Sequence, residues 1–172
     1  GIEGTKNPAT ISFLAPSEEV SRAITKGRKE TMNVIVAMNS SLQTMIPNHI
    51  GRYSDEFYPT ATGDNFQKLG YNTILIESGH FPMDYTREKS REFTFISIVQ
   101  GLFHIATANE FTAFEDYFTI PNNNILFYDV IHKYSNPENN IAYQYQDKIV
   151  DDKLVSELVK VSENCTLIMT NS

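Results

Sequence analysis

The sequence predicts an α/β unit over residues 1–110 and a small β-rich appendage over residues 111–172. Three observations carry this. Two short apolar runs, residues 9–14 and 71–77, each lead through a Pro or Gly loop into a long stretch with helical spacing. Beyond about residue 110 the pattern changes to strand-like alternation. A hydrophobic content of 41% over 172 residues is enough to build a core.

Ala9-Thr-Ile-Ser-Phe-Leu14 reads as a strand ended by Ala15-Pro16. Ser17 suits a helix cap, and Glu18 and Glu19 suit the positive end of a helix. Val20, Ile24, Met32, Ile35, Val36, Met38, Leu42 and Met45 keep helical spacing. They predict one helix over 17–45, weakest near Gly27 and stopped before Pro47. Residues 46–63 read as loop, broken by Pro47, Gly51, Pro59 and Gly63. Thr62-Gly-Asp64 can cap a short helix over 65–69, and Gly70 turns the chain into the strand 71–77. Asp84 is the expected cap of a second long helix. Its predicted buried stripe is Phe93, Ile96, Val99, Phe103 and Ala106, widened by Phe95, Ile98 and Leu102, which implies cover on more than one side. Residues 111–118 suggest a short amphipathic helix before Pro121. Residues 126–134, 141–150 and 153–161 alternate as strands, with Val150-Asp-Asp-Lys153 as a tight hairpin turn and a polar linker over 135–140.

Charge and cysteine narrow the functional classes. Fourteen basic against 21 acidic residues give a net charge of −7, which argues against a nucleic-acid or anionic-membrane binder. The one basic cluster, Lys26-Gly-Arg28-Lys29, is expected on a solvated helix face. The single Cys165 excludes an internal disulfide framework and a multi-cysteine zinc site, and fits a reducing, cytoplasmic compartment. No run of about 18 apolar residues predicts a membrane span. Residues 1–8 lack the apolar core of a signal peptide, and the chain begins with Gly1 rather than Met, as a processed or trimmed end would.

Glu77 is the leading candidate for chemistry. It closes an apolar strand, and the carboxyl ends of strands in α/β sheets are where ligands sit. A carboxylate there can act as a general base. The alternative is a loop-edge residue that caps the next helix or pairs with Arg87 or Arg91. Glu77-x-x-His80, with Asp84 as a third group, has ligand types suited to zinc, but the spacing falls across a Gly-containing loop. Arg52, Tyr53 and Tyr58 stand in the loop before the strand, where they can meet a ligand or pack as surface aromatics. His104, inside an apolar helix, reads as a hydrogen-bonded core residue. Asp84, Arg87, Glu88, Lys89, Arg91 and Glu92 read as a solvated, ion-paired helix start.

The stretch Tyr71-Asn-Thr-Ile-Leu-Ile-Glu77-Ser-Gly-His-Phe-Pro-Met-Asp-Tyr-Thr-Arg-Glu-Lys-Ser-Arg-Glu-Phe93 resembles the last core strand and following helix of the zinc metallocarboxypeptidases. It is most similar to a bacterial branch with a Glu-x-Gly-His-Phe-Pro pattern. Asn7-Pro-Ala-Thr-Ile-Ser-Phe-Leu-Ala-Pro16 and Gly63-Asp-Asn-Phe66 also resemble that branch, and the similarity runs from residue 5 to about 108. The resemblance implies the C-terminal half of that α/β fold, with a partial mixed sheet and long packed helices. It implies that Glu77 takes a proton from a zinc-bound water and passes it to the leaving amine. It makes Tyr58 the counterpart of a loop tyrosine that closes over the substrate carboxylate.

The family's His-x-x-Glu zinc motif is absent. His49, His80, His104 and His132 are followed at the third position by Arg52, Met83, Thr107 and Ser135. The resemblance therefore implies the C-terminal part of a longer hydrolase, acting on a peptide or N-acyl amino acid. Zinc would belong to the parent, no metal ligand lies in this chain, and the isolated chain would be inactive. A non-catalytic binding domain that kept the fold, and a deacylase or murein peptide amidase with the same core, are the rival readings. Open sheet edges and apolar helix faces leave homodimerisation of the isolated chain as an expectation.

Overall fold

Ile11–Leu14, four consecutive buried residues, form the central strand β1 of a small mixed sheet. A computed structural model of the chain describes residues 1–163 and 169–170, so Cys165 lies outside the described residues. The chain divides into two compact units, Gly1–Asn124 and Ile125–Ser172.

In the first unit β1 leads into helix α1 (Lys26–Gln43), which returns the chain to β2 (Ile50–Arg52), parallel to β1. A short helix α2 (Thr62–Lys68) precedes β3 (Leu75–Ser78), which pairs with the other side of β1 and runs antiparallel to it. Helix α3 (Glu88–Thr107) then packs on α1. Ile11 and Phe13 of β1 meet Met32, Ile35, Met38 and Leu42 of α1, with Ile50 and Phe93, in one core. Burial on both faces explains why β1 reads as an almost continuous apolar run.

Helix α1 starts nine residues later than its apolar spacing predicts, at Lys26 rather than residue 17. Thr25 is its cap and accepts from the Arg28 amide. The reason is Arg28, which is wholly buried rather than solvated. Its guanidinium donates to the carbonyls of Ala15, Arg22 and Ala23 and to Asp55. Residues 17–25 wrap around it instead of coiling, with Arg22 in a left-handed turn and Ser17 donating to the Asp55 carbonyl.

Helix α3 also departs from expectation. It turns Ser90, Phe93, Ser97 and Gly101 inward, and small residues let it approach α1 closely. Of the predicted stripe, Phe93 and Ile96 meet the core and the other large residues face out: Phe103 is 61% exposed, and Phe95, Ile98, Val99 and Leu102 are exposed as well. Among the described residues, no helix is long and apolar enough to cross a membrane.

The first unit extends past the boundary at residue 110. Residues Phe114–Thr119 form a 3₁₀ turn that packs on α1, and Tyr117 is buried with its hydroxyl accepting from the Ala15 amide. Residues 121–123 then run along β2, the Arg52 amide donating to the Pro121 carbonyl and the Asn123 amide to the Arg52 carbonyl. In the second unit β4 (Phe127–Tyr128) and β8 (Met169–Thr170) form a short parallel pair. The strands β5 (Val130–His132), β6 (Ile141–Val150) and β7 (Lys153–Glu163) form an antiparallel sheet. The predicted hairpin turn is present: Asp151 and Asp152 both have positive φ, as a tight two-residue loop between twisted strands requires.

Candidate functional site

Register places Glu77 opposite Ser12, and Ser12 opposite Gly51, so the three lie in one row across the sheet and share a face. Tyr53, two residues beyond Gly51, returns to that face. Its amide donates to the Phe13 carbonyl, which continues the ladder just past β2. Its hydroxyl donates to Glu77 Oε2 at 2.6 Å. Asn123 lies over the same row, Nδ2 donating to Ser12 Oγ at 3.1 Å and Oδ1 accepting from the Gly1 amino group at 3.0 Å. Gly51 makes room for this cover: a Cβ there would stand 3.0 Å from Ile2 Cδ1 and 3.2 Å from Asn123 Cβ.

Glu77 is exposed on an edge strand, and among the described residues only Tyr53 donates to it. Tyr53 is half-buried. Burial pushes its phenol up to about 12, the Glu77 hydrogen bond and charge add to the rise, and Asn123 and Ser12 act in the opposite sense. At neutral pH the phenol is therefore protonated and a donor.

The antiparallel course of β3 changes the strand-end argument. Leu75 of β3 faces Leu14 at the end of β1, and Ser78 faces Ile11 at its start. Glu77 therefore sits at the end of the sheet where β1 and β2 begin, not where they finish. The rule that ligands gather at carboxyl ends describes parallel strands.

The groups that would make Glu77 an ordinary structural residue are engaged elsewhere. Arg87 Nη1 donates to the Gly79 carbonyl at 2.6 Å, and Arg91 pairs with Glu88. The N-cap position of α3 is Arg87, left-handed and with no side-chain cap bond, rather than the predicted Asp84; Asp84, three residues further back, instead reaches the free amides of the first turn. Asp84 Oδ2 accepts from the Ser90 amide at 2.8 Å and Oδ1 from the Lys89 amide at 3.1 Å. Burial pushes the Asp84 carboxyl up, but the hydrogen bonds from Ser90, Lys89 and Glu88 outweigh it and hold the group below its ordinary value. The loop leaving β3 is pinned as well. The Gly79 amide donates to the Thr10 carbonyl, Ser90 Oγ donates to the Gly79 carbonyl, and Thr10 Oγ1 donates to the His80 carbonyl.

Tyr58 stands apart from this cluster in its bonding. It is exposed, its hydroxyl donates to Glu56 and its amide to Asp64. Arg52 is structural: Nε donates to the Ile120 carbonyl, and the guanidinium lies 5.7 Å from the ring centres of Tyr117 and Phe118. His104 bonds to the Asn33 side chain at 2.6 Å, as a core-lining histidine should. With Asp84 bonded to the amides of the first turn of α3, the Glu77-x-x-His80 pair lacks the third ligand offered for it. Among the described residues, no group of three or more His, Cys, Asp or Glu is arranged to hold a metal ion.

Ser12 and Asn123 are the members of the cluster that sequence reasoning missed. Ser12 left a trace, a polar residue between Ile11 and Phe13 in an apolar strand. Asn123 left none, because it reaches the sheet from a segment more than a hundred residues away in sequence. Comparison with protein-family models, curated proteins and solved structures found no match to this chain.

Proposed function

We propose that the chain is the C-terminal portion of a zinc-dependent carboxypeptidase-like hydrolase that cleaves a peptide or N-acyl amino acid, with Glu77 as general base. Glu77 accepts a proton from the attacking water and returns it to the leaving amine nitrogen. The observation that carries this is the state of its carboxylate. It is exposed, it neither caps α3 nor pairs with Arg87 or Arg91, and among the described residues its one donor is a neutral phenol. The residues around it in sequence are those that resemble the metallocarboxypeptidases. The metal donors lie outside this chain on this reading, so the isolated chain is inactive. Tyr58, with its exposed ring, is the candidate for the substrate carboxylate. The outward apolar stripe of α3 supports the reading, since a larger domain would cover it; in the isolated chain the same stripe favours self-association.

The test is Glu77→Gln in a protein that includes the upstream metal motif, assayed on blocked dipeptides. Turnover should fall by about 10²–10⁴-fold with zinc content unchanged. Wild-type turnover in that variant would reduce Glu77 to a structural strand-end residue.

A further inference from the structure

We propose that Tyr53 is a positioning residue for Glu77, holding one carboxylate oxygen so that the other is aimed at the water. The inference rests on the reading of Glu77 as general base. A glutamate on an exposed edge strand has three side-chain torsions and little packing to choose among them. Tyr53 removes that freedom by donating to Oε2 at 2.6 Å, and among the described residues nothing donates to Oε1. The phenol itself is well placed to do this. Its backbone is bonded to β1 through the Phe13 carbonyl, and its neighbour Arg52 is fixed by the Ile120 carbonyl. Ser12 and Asn123, bonded to each other at 3.1 Å, lie on the same face of the sheet. The donor therefore comes from a strand end two strands away, across a hydrogen-bonded sheet, rather than from a mobile surface chain. Geometry held in this way is what a general base needs to meet a proton in line.

Tyr53 acts through Glu77, which separates it from a residue that merely stabilises the fold. In the protein that carries the metal motif, Tyr53→Phe should lower kcat by about 10- to 100-fold with KM within about twofold. Tyr53→Phe combined with Glu77→Gln should be no slower than Glu77→Gln alone. If Tyr53→Phe leaves kcat unchanged while Glu77→Gln lowers it as expected, Tyr53 has no positioning role and the general base stands. If Glu77→Gln itself keeps turnover, the general-base reading falls and the positioning role with it. A second measurement on the present chain needs no activity. Tyrosinate absorbance should show the Tyr53 phenol ionising near pH 12, beside the raised phenols of Tyr58 and Tyr117, with its contribution lost in Tyr53→Phe and shifted to lower pH in Glu77→Gln. A contribution lost in Tyr53→Phe that is unmoved by Glu77→Gln would overturn the contact and the proposal.

Discussion

The guanidinium of Arg28, on the first turn of α1, is wholly buried and paired with Asp55 at 2.8 Å. Its two terminal nitrogens also donate to three carbonyls from the segment between β1 and α1. One side chain thus sets where α1 begins and ties the β1 exit to the loop after β2.

Arg28→Ala should therefore destabilise the first unit strongly. It leaves three inward carbonyls without their donor and Asp55 without its main partner. Asp55 is partly exposed, which places the expected loss at the low end for a broken buried pair, about 3 kcal/mol. Denaturant unfolding of the variant and wild type measures it. A shift under about 0.5 kcal/mol, typical of a surface substitution, would mean that Arg28 does not organise this region.

Asp84 should make the chain acid-sensitive in a defined window. Its carboxyl titrates below the ordinary 3.8 in the folded state, so near that pH the unfolded chain binds more protons than the folded one. The stability it contributes is full above the unfolded value and is lost as pH falls through the folded value. Asp84→Asn should flatten the fall in stability below about pH 4. Thermal melts of both proteins between pH 2 and 6 would show it, and parallel curves would remove Asp84 from the acid response.

Gly79 cannot accept a side chain without moving the loop that leaves β3. A Cβ there would stand 2.0 Å from the Ala9 carbonyl oxygen, which is backbone and cannot rotate away. Gly79→Ala should cost about 1–3 kcal/mol through the forced backbone shift. It should also disturb the Tyr53–Glu77 contact, since Glu77 is two residues upstream. A chain that melts like wild type and keeps its late-ionising phenol would show that the loop has more room than its geometry implies.

Phe93 and Phe103 should behave oppositely, although both belong to the apolar pattern of α3. Phe93 is 8% exposed and meets the ring of Phe81, 5.3 Å between centres. Phe93→Ala should destabilise by about 3–5 kcal/mol. Phe103→Ala, at an exposed site, should change stability by less than about 0.5 kcal/mol. Equal losses from the two in denaturant melts would mean that the helix is turned differently about its axis.

Most element types were legible in the sequence because their signals are local, whereas β2 lies in a stretch that reads as loop. The apolar run around Ile11 and Phe13, the spacing of Met32, Ile35, Met38 and Leu42, and the hairpin at Asp151 and Asp152 each depend on a few neighbouring residues. Glu77 was legible as a carboxylate ending a strand for the same reason. Only the tertiary structure decided what those residues meet. The burial of Arg28 depends on Asp55, the inward face of α3 on how near α1 lies, and the place of residues 111–124 on the pocket that Tyr117 fills. The partner of Glu77 is Tyr53 rather than Arg87 or Tyr58 because β3 pairs antiparallel with β1, and register then brings Ser12, Gly51 and Tyr53 to one face. Hydrophobic periodicity records whether a side chain prefers to leave water. It does not record which distant segment closes over it, because that choice depends on pairings between residues far apart in the chain.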